Sequence, residues 1–311
     1  MWTMAKRALG MALAWAAATA PALAAQDIRI DDVAVYPESM GAAPDGTIYV
    51  GSMKGIVFRA PRGAATAEPF IRPDARNGIL SLLGILPDAR SRTLWVCSAP
   101  STLRNPPAVG TSALIAFDLK TGAFKAAYPF PAPASACNDI TVGPGGEVYA
   151  TDTPNGRIFV LKPKASALAL YASDARLKGI DGIVFGGDGQ LYLNIVSKGL
   201  LMRVDRGPDG AMTGLTTLEL SQPVAGPDGF RLISGSRFLL AEGNSGRIDE
   251  VTIHGDAADI KVLKDGLVSP PGVTLVGRTA YGLEGKITYL FDPKLKGQDP
   301  NPFMIRAIPL P

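Results

Sequence analysis

The stretch CNDITVGPGGEVYATDTPNGRIFV, residues 137–160, decides the fold. It opens with the polar pair Asn138-Asp139 and runs through a short apolar segment to a Gly-rich connection at 143–146. A segment containing a tyrosine follows, and after a polar turn a third apolar segment closes the unit. Gly-rich connections between short apolar runs are typical of β-hairpins. The stretch therefore predicts a small antiparallel β-meander.

The same pattern recurs along the chain. Clear copies begin near Glu38, Asp181 and Asp228, and weaker copies cover residues 80–117 and 272–291. The starts of the third, fourth and fifth copies lie 43 and 47 residues apart. This period matches the four-stranded blade of a propeller. The sequence therefore predicts an all-β, six-bladed β-propeller with four-stranded blades, with a β-sandwich and a parallel β-helix as alternatives.

A closed ring needs its two edges sealed. Residues 28–35 and 304–308 read as additional strands at the two ends of the repeat region. We expect one or both to complete the last blade.

The composition suits a globular protein without a charged partner. Apolar residues make up 47% of the chain and charged residues 19%, while 35 Gly and 26 Pro favour many turns. The net charge is +3, and Lys6 and Arg7 contribute two of these charges. A chain lacking them is close to neutral, so we expect no nucleic-acid partner.

Residues 1–24 are predicted to be a cleaved signal peptide, which leaves 25–311 as the propeller domain. The basic pair precedes an apolar run at 8–20 and the small-x-small triplet Ala22-Leu23-Ala24. A membrane anchor is the alternative, but the apolar run is short for a bilayer of roughly 30 Å. We therefore expect an exported protein, periplasmic or secreted, with no membrane span after cleavage.

Cys97 and Cys137 are the two cysteines of the chain. In an exported protein such a pair favours a disulfide, and two small buried apolar residues are the alternative. We expect a disulfide that joins neighbouring blades next to Asn138.

The starts of the clear copies carry a family resemblance. The chain resembles the gluconolactonase/regucalcin-like (senescence marker protein-like) family of six-bladed propellers over nearly all of its mature length. The matching residues stand at the strand starts of blades one, three, four and five, in the order that the family has. The resemblance rests on Glu38-Ser39, Asn138-Asp139, Asp181-Gly182 and Asp228-Gly229. It implies one divalent cation in the central channel, bound by Glu38, Asp181 and Asp228. It also implies that Asn138 contacts the metal, its water or the substrate.

The chemistry of these residues agrees with that implication. First residues of inner strands converge on one axis, where three carboxylates repel each other unless a cation neutralises them. Oxygen donors alone suit Ca²⁺, Mg²⁺ or Mn²⁺ better than a structural Zn²⁺, and Ca²⁺ is the first expectation. The alternative is turn chemistry, because Asp-Gly is an ordinary turn sequence in which the Asp caps its own backbone.

Two positions depart from the family pattern. Asp181 stands where the family usually has Asn, which adds an acidic ligand. Ala136 stands where sugar-lactone hydrolases have Arg, which favours an apolar or weakly polar substrate. The single histidine, His254, is expected at the surface.

These features favour a divalent-metal-dependent hydrolase of a small lactone or related ester. In it, Asp228 or Asp181 would act as general base and Asn138 would orient the substrate. The alternative is a non-catalytic exported propeller that binds a ligand or a protein partner, with a structural cation or none. A third option, a lyase or condensing enzyme similar to strictosidine synthase, requires Glu242 to point into the channel.

Overall fold

The computed structural model describes Trp2, residues 25–103 and residues 106–310. Apart from Trp2, the predicted signal peptide lies outside the described residues. No helix within the described residues is long and apolar enough to cross a membrane. Their only helical segments are two short 3-10 turns, Ala175–Leu177 and Ile287–Leu290. The prediction of an all-β protein is confirmed.

The strands form consecutive antiparallel units of four. Strand β1 (Ile28–Ile30) precedes them and belongs to the last unit. The first two units comprise β2 (Pro37–Ala42), β3 (Ile48–Ser52), β4 (Val57–Ala60), β5 (Thr66–Ile71), β6 (Ser81–Asp88), β7 (Thr93–Ala99), β8 (Ala113–Asp118) and β9 (Phe124–Pro129). The third and fourth comprise β10 (Cys137–Val142), β11 (Val148–Asp152), β12 (Arg157–Leu161), β13 (Ala169–Ser173), β14 (Ile180–Phe185), β15 (Leu191–Ile195), β16 (Leu200–Arg206) and β17 (Met212–Thr217).

The rest of the chain completes two further units. The short strand β18 (Glu219–Leu220) pairs with the outer edge of the fifth unit, which comprises β19 (Pro227–Ser234), β20 (Arg237–Glu242), β21 (Arg247–His254) and β22 (Ala257–Lys264). The last unit comprises β23 (Gly272–Val276), β24 (Thr279–Leu283), β25 (Met304–Pro309) and, from the start of the chain, β1.

The first strands of the units contact one another in a closed circle. β2 contacts β6, and the contacts continue through β10, β14, β19 and β23 back to β2. The units therefore radiate from one central channel, as in a β-propeller. This arrangement is neither a β-sandwich nor a parallel β-helix.

Strand β1 closes the ring. It pairs antiparallel with β25, with Ile28 opposite Ile305, and parallel with β5, with Arg29 opposite Thr66. The two expected terminal segments therefore complete the last unit, although strand β1 ends at Ile30 rather than near residue 35.

Glycines allow neighbouring first strands to approach closely. A Cβ atom on Gly229 would lie 2.9 Å from the carbonyl oxygen of Pro271 in the next unit. A Cβ on Gly182 would collide with the carbonyl oxygen of Asp228, and one on Gly84 with that of Asn138. The Asp-Gly pairs are thus packing features of strands rather than turns.

The apolar core lies between adjacent units. Tyr149 packs edge-on against Phe185 of the next unit, with ring centroids 5.4 Å apart. Tyr192 makes the equivalent contact with Phe238, also at 5.4 Å. Tyr149 and Tyr192 on second strands therefore contribute to the contacts between consecutive units, whereas Tyr49 and Trp95 pack against aromatic rings of their own units.

Candidate functional site

The predicted site residues lie where the pairing of a first strand with its second strand changes register. The first and second strands change register at the start of five units, between Pro37/Ser39, Leu82/Ile85, Cys137/Ile140, Ile180/Ile183 and Pro227/Phe230. A β-bulge redirects side chains and is frequent beside functional sites. The residues skipped by these shifts include Glu38, Asn138, Asp181 and Asp228.

Polar side chains replace the backbone pairing that the shifts remove. Asn194 accepts the Gly182 N–H through Oδ1 (3.0 Å) and donates Nδ2 to the Asp228 carbonyl oxygen (2.5 Å). Thr151 Oγ1 accepts the Asp139 N–H at 2.8 Å. Both side chains are fully buried. These contacts fix the backbone from which the site residues project.

The predicted site residues meet in the channel. The Asn138 amide donates Nδ2 to Asp181 Oδ2 at 3.0 Å and to Thr153 Oγ1 at 2.9 Å. The carboxyl groups of Asp181 and Asp228 lie within hydrogen-bonding reach of each other, and Glu38 is close enough to repel both electrostatically. The structure thus brings together four residues separated by up to 190 positions in the chain.

Burial and mutual repulsion favour the protonated forms of these acids. Burial, together with the charge of Asp139, raises the pKa of Asp181 to about 7. Burial and the charges of Asp181 and Glu38 raise the pKa of Asp228 well above its ordinary value. Burial and the charges of Asp181 and Asp139 do the same for Glu38. At neutral pH the Asp181–Asp228 pair therefore tends to share a proton.

A buried ion pair, which the sequence did not predict, crosses the channel. The guanidinium of Arg231 on β19 donates Nη1 and Nη2 to the two oxygens of Asp139 on β10, at 2.7 and 2.8 Å. Their side chains are only 12% and 6% exposed. Asp139 also accepts the Ile183 N–H at 3.0 Å. We define Glu38, Asn138, Asp139, Asp181, Asp228 and Arg231 as the channel cluster.

The turn interpretation holds for other aspartates but not for the site residues. Asp181-Gly182 and Asp228-Gly229 lie within strands, and neither glycine has a left-handed φ. Other aspartates do cap turns, because each accepts the N–H of the residue two positions ahead. Examples are Asp45, Asp188 and Asp209.

The channel cluster contains the types of oxygen donor that hard cations prefer. Glu38, Asp181 and Asp228 offer carboxylate oxygens and Asn138 an amide oxygen, without imidazole or thiolate. Among the described residues, however, no three His, Cys, Asp or Glu side chains are grouped so that they could hold a metal ion. To bind a cation, the carboxyl groups would therefore have to move closer together, Asp181 and Asp228 would have to lose the protons that their raised pKa values favour, and Asn138 would have to present its oxygen.

The other two named candidates lie outside the channel cluster. Glu242 is fully buried, accepts the Ala225 N–H, and makes no hydrogen bond to the cluster in the described part of the chain. A channel acid of the kind the lyase option requires is therefore not found at Glu242. His254 is exposed at the end of β21, as expected.

A cavity lies at the opposite end of the first strands. It measures about 460 Å³ and is bordered by Arg231 and by residues near the ends of these strands, among them Pro87, Val142, Phe185 and Leu275. Arg231 therefore separates an acidic end of the channel, where the first strands begin, from an apolar end.

The predicted disulfide is confirmed. Cys97 on β7 and Cys137 on β10 are bonded, with their Cα atoms 5.0 Å apart. Cys137 immediately precedes Asn138, so the bond holds the second and third units together beside the channel cluster.

Comparison with known proteins supports the fold alone. No protein family model matches the chain, and no curated protein sequence is similar enough to be a relative. Among solved structures, a structural-genomics target named for gluconolactonase is similar at a TM-score of 0.66 and 15% identity, over 93% of this chain and 94% of that one. A luciferin-regenerating enzyme gives a TM-score of 0.66 at 14% identity, over 92% and 93% of the two chains.

A virginiamycin B lyase from Staphylococcus aureus is similar over 91% of this chain and 98% of its own, at a TM-score of 0.59 and 12% identity. The resemblance noted in the sequence is thus confirmed at the level of the fold. The chain has the β-propeller fold that gluconolactonase-type proteins share.

Proposed function

We propose that the protein is a metal-dependent hydrolase that opens a lactone or related ester at the acidic end of a six-bladed propeller channel. The observation that carries this proposal is the convergence of three carboxyl groups with raised pKa values, the buried Glu38 and Asp181 and the partly buried Asp228. Buried, strongly perturbed acids in a channel are characteristic of catalytic sites. The fold is also that of proteins named for gluconolactonase, luciferin-regenerating and lyase activities.

Each residue of the channel cluster has a role in this proposal. A hard divalent cation, Ca²⁺ in the first instance and Zn²⁺, Mn²⁺ or Mg²⁺ otherwise, would be bound by Glu38, Asp181, Asp228 and Asn138. When bound, it would polarise the substrate carbonyl and make water more acidic. Asp228 or Asp181 would accept the proton of the attacking water as general base.

The surroundings of the acidic end favour an apolar substrate. The long connections 100–112 and 284–303 both leave second strands at this end of the units. They expose the large apolar side chains Leu103, Val109 and Phe291. Ala136 provides no charged group for a sugar hydroxyl. We therefore propose an apolar or weakly polar small lactone or ester.

Hydrolysis assays on matched variants test the proposal. The metal-free protein would be screened with aliphatic lactones and esters after addition of Ca²⁺, Mn²⁺, Zn²⁺ or Mg²⁺. Asp228→Asn should lower the rate by about 100-fold or more, the usual contribution of a general base. Asp209→Asn, which changes an exposed turn aspartate, should leave it unchanged. Equal rates in wild type and Asp228→Asn, or no hydrolysis with any cation, would rule the proposal out.

A non-catalytic ligand-binding role is the second candidate, and the apolar cavity favours it. Its volume of about 460 Å³ falls in the range of small-molecule sites. Saturable binding of an apolar dye that Leu275→Arg abolishes, without any hydrolysis, would support this role.

We also propose that the protein is exported to an oxidising compartment. The disulfide between Cys97 and Cys137 supports this location, because such bonds rarely persist in the cytosol. Fractionation of cells expressing the full chain, followed by N-terminal sequencing, tests both the location and cleavage after residue 24.

A further inference from the structure

The third unit contains a buried carboxylate whose hydrogen bonds are complete. Asp152 ends β11 and is fully buried. It accepts Arg157 Nε at 2.8 Å, Asn155 Nδ2 at 3.1 Å and the Ala136 N–H at 3.0 Å. Both oxygens therefore have partners, as buried carboxylates require.

The fifth unit has an acid and an arginine at the same positions, but its acid has fewer hydrogen-bond partners. Glu242 stands opposite Arg247 at the ends of β20 and β21, as Asp152 stands opposite Arg157. Glu242 Oε2 accepts the Ala225 N–H. However, Glu242 Oε1 and the hydroxyl of Ser245 are buried without a hydrogen-bond partner. No ion pair joins Arg247 to Glu242 in the described chain.

A second carboxyl group lies beside Glu242 at a position that is apolar in other units. Asp249 pairs with Leu240, as Phe159 pairs with Ala150, Phe58 with Val50 and Met202 with Leu193. Asp249 is fully buried, and neither of its oxygens accepts a hydrogen bond from an N–H group or a hydroxyl of the described residues. Its carboxyl group lies within hydrogen-bonding reach of Glu242.

Burying these two carboxyl groups without donors is energetically unfavourable. Two buried carboxyl groups meet where an aromatic or aliphatic side chain would pack. Glu242 Oε1, both carboxyl oxygens of Asp249 and the Ser245 hydroxyl find no hydrogen-bond partner beyond this group among the described residues. Uncompensated burial of one carboxylate costs several kcal/mol. Arg247 acts on Asp249 only at a distance. A ligand that contacts oxygens alone and carries positive charge would remove the cost.

We propose that Glu242, Asp249 and Ser245 form a structural Ca²⁺ site inside the fifth unit, separate from the channel cluster. The donor set of two carboxylates and a hydroxyl, without imidazole or thiolate, is that of a hard cation. Ca²⁺ tolerates irregular coordination by six to eight oxygens, whereas Mg²⁺ demands a near-ideal octahedron. The two negative charges match one divalent ion.

The test uses the mature chain, stripped of metal and studied at pH 8.5, with Ca²⁺ as the probe. Binding stoichiometry and Tm would be measured for wild type, Asp228→Asn and Asp249→Asn. Asp228→Asn removes a channel residue and should still bind one Ca²⁺. At a Ca²⁺ concentration 100-fold above Kd, its Tm should rise by about 4–5 °C. Asp249→Asn should lose this response, and Ser245→Ala should weaken it.

Two results would overturn the proposal. One is an equal Ca²⁺ response in Asp228→Asn and in the double variant Asp228→Asn/Asp249→Asn. The other is no Ca²⁺ response of Asp228→Asn. If its Tm also falls between pH 7 and pH 9 and no longer does so after Asp249→Asn, the two acids share a proton instead. If Asp249→Asn fails to fold, Asp249→Leu, which restores the apolar residue of the other units, replaces it. Loss of hydrolysis in Asp228→Asn has no bearing on this outcome, so the two proposals fail separately.

Discussion

Replacing Arg231 by methionine should destabilise the protein strongly. Its guanidinium makes two hydrogen bonds to Asp139, and both side chains are almost entirely buried. Without it, Asp139 would retain only backbone donors and would remain near Glu38, Asp181 and Asp228, whose charges it repels. Removing one partner of a buried pair typically costs about 3–5 kcal/mol. We expect a loss in this range.

The assay is a double-mutant cycle by urea unfolding at pH 7.5. Asp139→Asn leaves Arg231 buried without its counter-charge, so this variant should also be destabilised. In the Arg231→Met background the same substitution removes the isolated carboxylate and should restore stability. We expect a coupling free energy of about 1.5 kcal/mol or more, as for close charge pairs. As a control, Arg76→Met breaks an exposed pair with Asp74 and should cost less than about 0.5 kcal/mol.

The result that would refute this reasoning is additivity. If the two substitutions at positions 139 and 231 simply add, or if Arg231→Met costs less than about 1 kcal/mol, the guanidinium does not neutralise the channel.

Three further predictions follow from the same structure. Gly182→Ala should cost about 1–3 kcal/mol because its Cβ would collide with the neighbouring first strand. Gly243→Ala, whose Cβ would have its nearest neighbour at 3.7 Å, should cost little, and thermal unfolding compares the two variants. Removing the disulfide by Cys97→Ala/Cys137→Ala should cost about 2–4 kcal/mol in urea, and a reducing agent should then affect only the wild type. With EDTA present, stability should fall as the pH rises from about 4 to about 7, because folded Asp181 keeps its proton to about 7 while the unfolded chain releases it near 3.8. Asp181→Asn should flatten this part of the Tm–pH curve, and an unchanged curve would contradict the assignment.

Much of the fold could be predicted because its signals are local. Each unit repeats a hairpin turn and an aromatic residue on the second strand, both within about a dozen residues of the strand start. The acidic residues at the strand starts could be predicted as a group for a related reason. Equivalent positions of repeated units face the same axis, so Glu38, Asp181 and Asp228 must meet whatever their distance along the chain.

The remaining features depend on pairing between distant strands. The register shifts that redirect Asp181 and Asp228 are visible only once first and second strands are aligned. The ion pair joins residues 92 positions apart across an intervening unit. One signal was available, since Arg231 places a positive charge between the apolar residues Phe230 and Leu232 of a first strand. Nothing in the sequence indicated that its partner would be Asp139.

The closure of the ring by β1 has a consequence for the order of folding. Strand β1 is synthesised before the other described strands of the domain, whereas its antiparallel partner β25 is synthesised after all of them. Until then, one edge of β1 has no partner, and the circle of first strands cannot be completed. An unpaired strand edge is a template for association with other chains. The arrival of β25 therefore completes the domain and at the same time removes this route to aggregation.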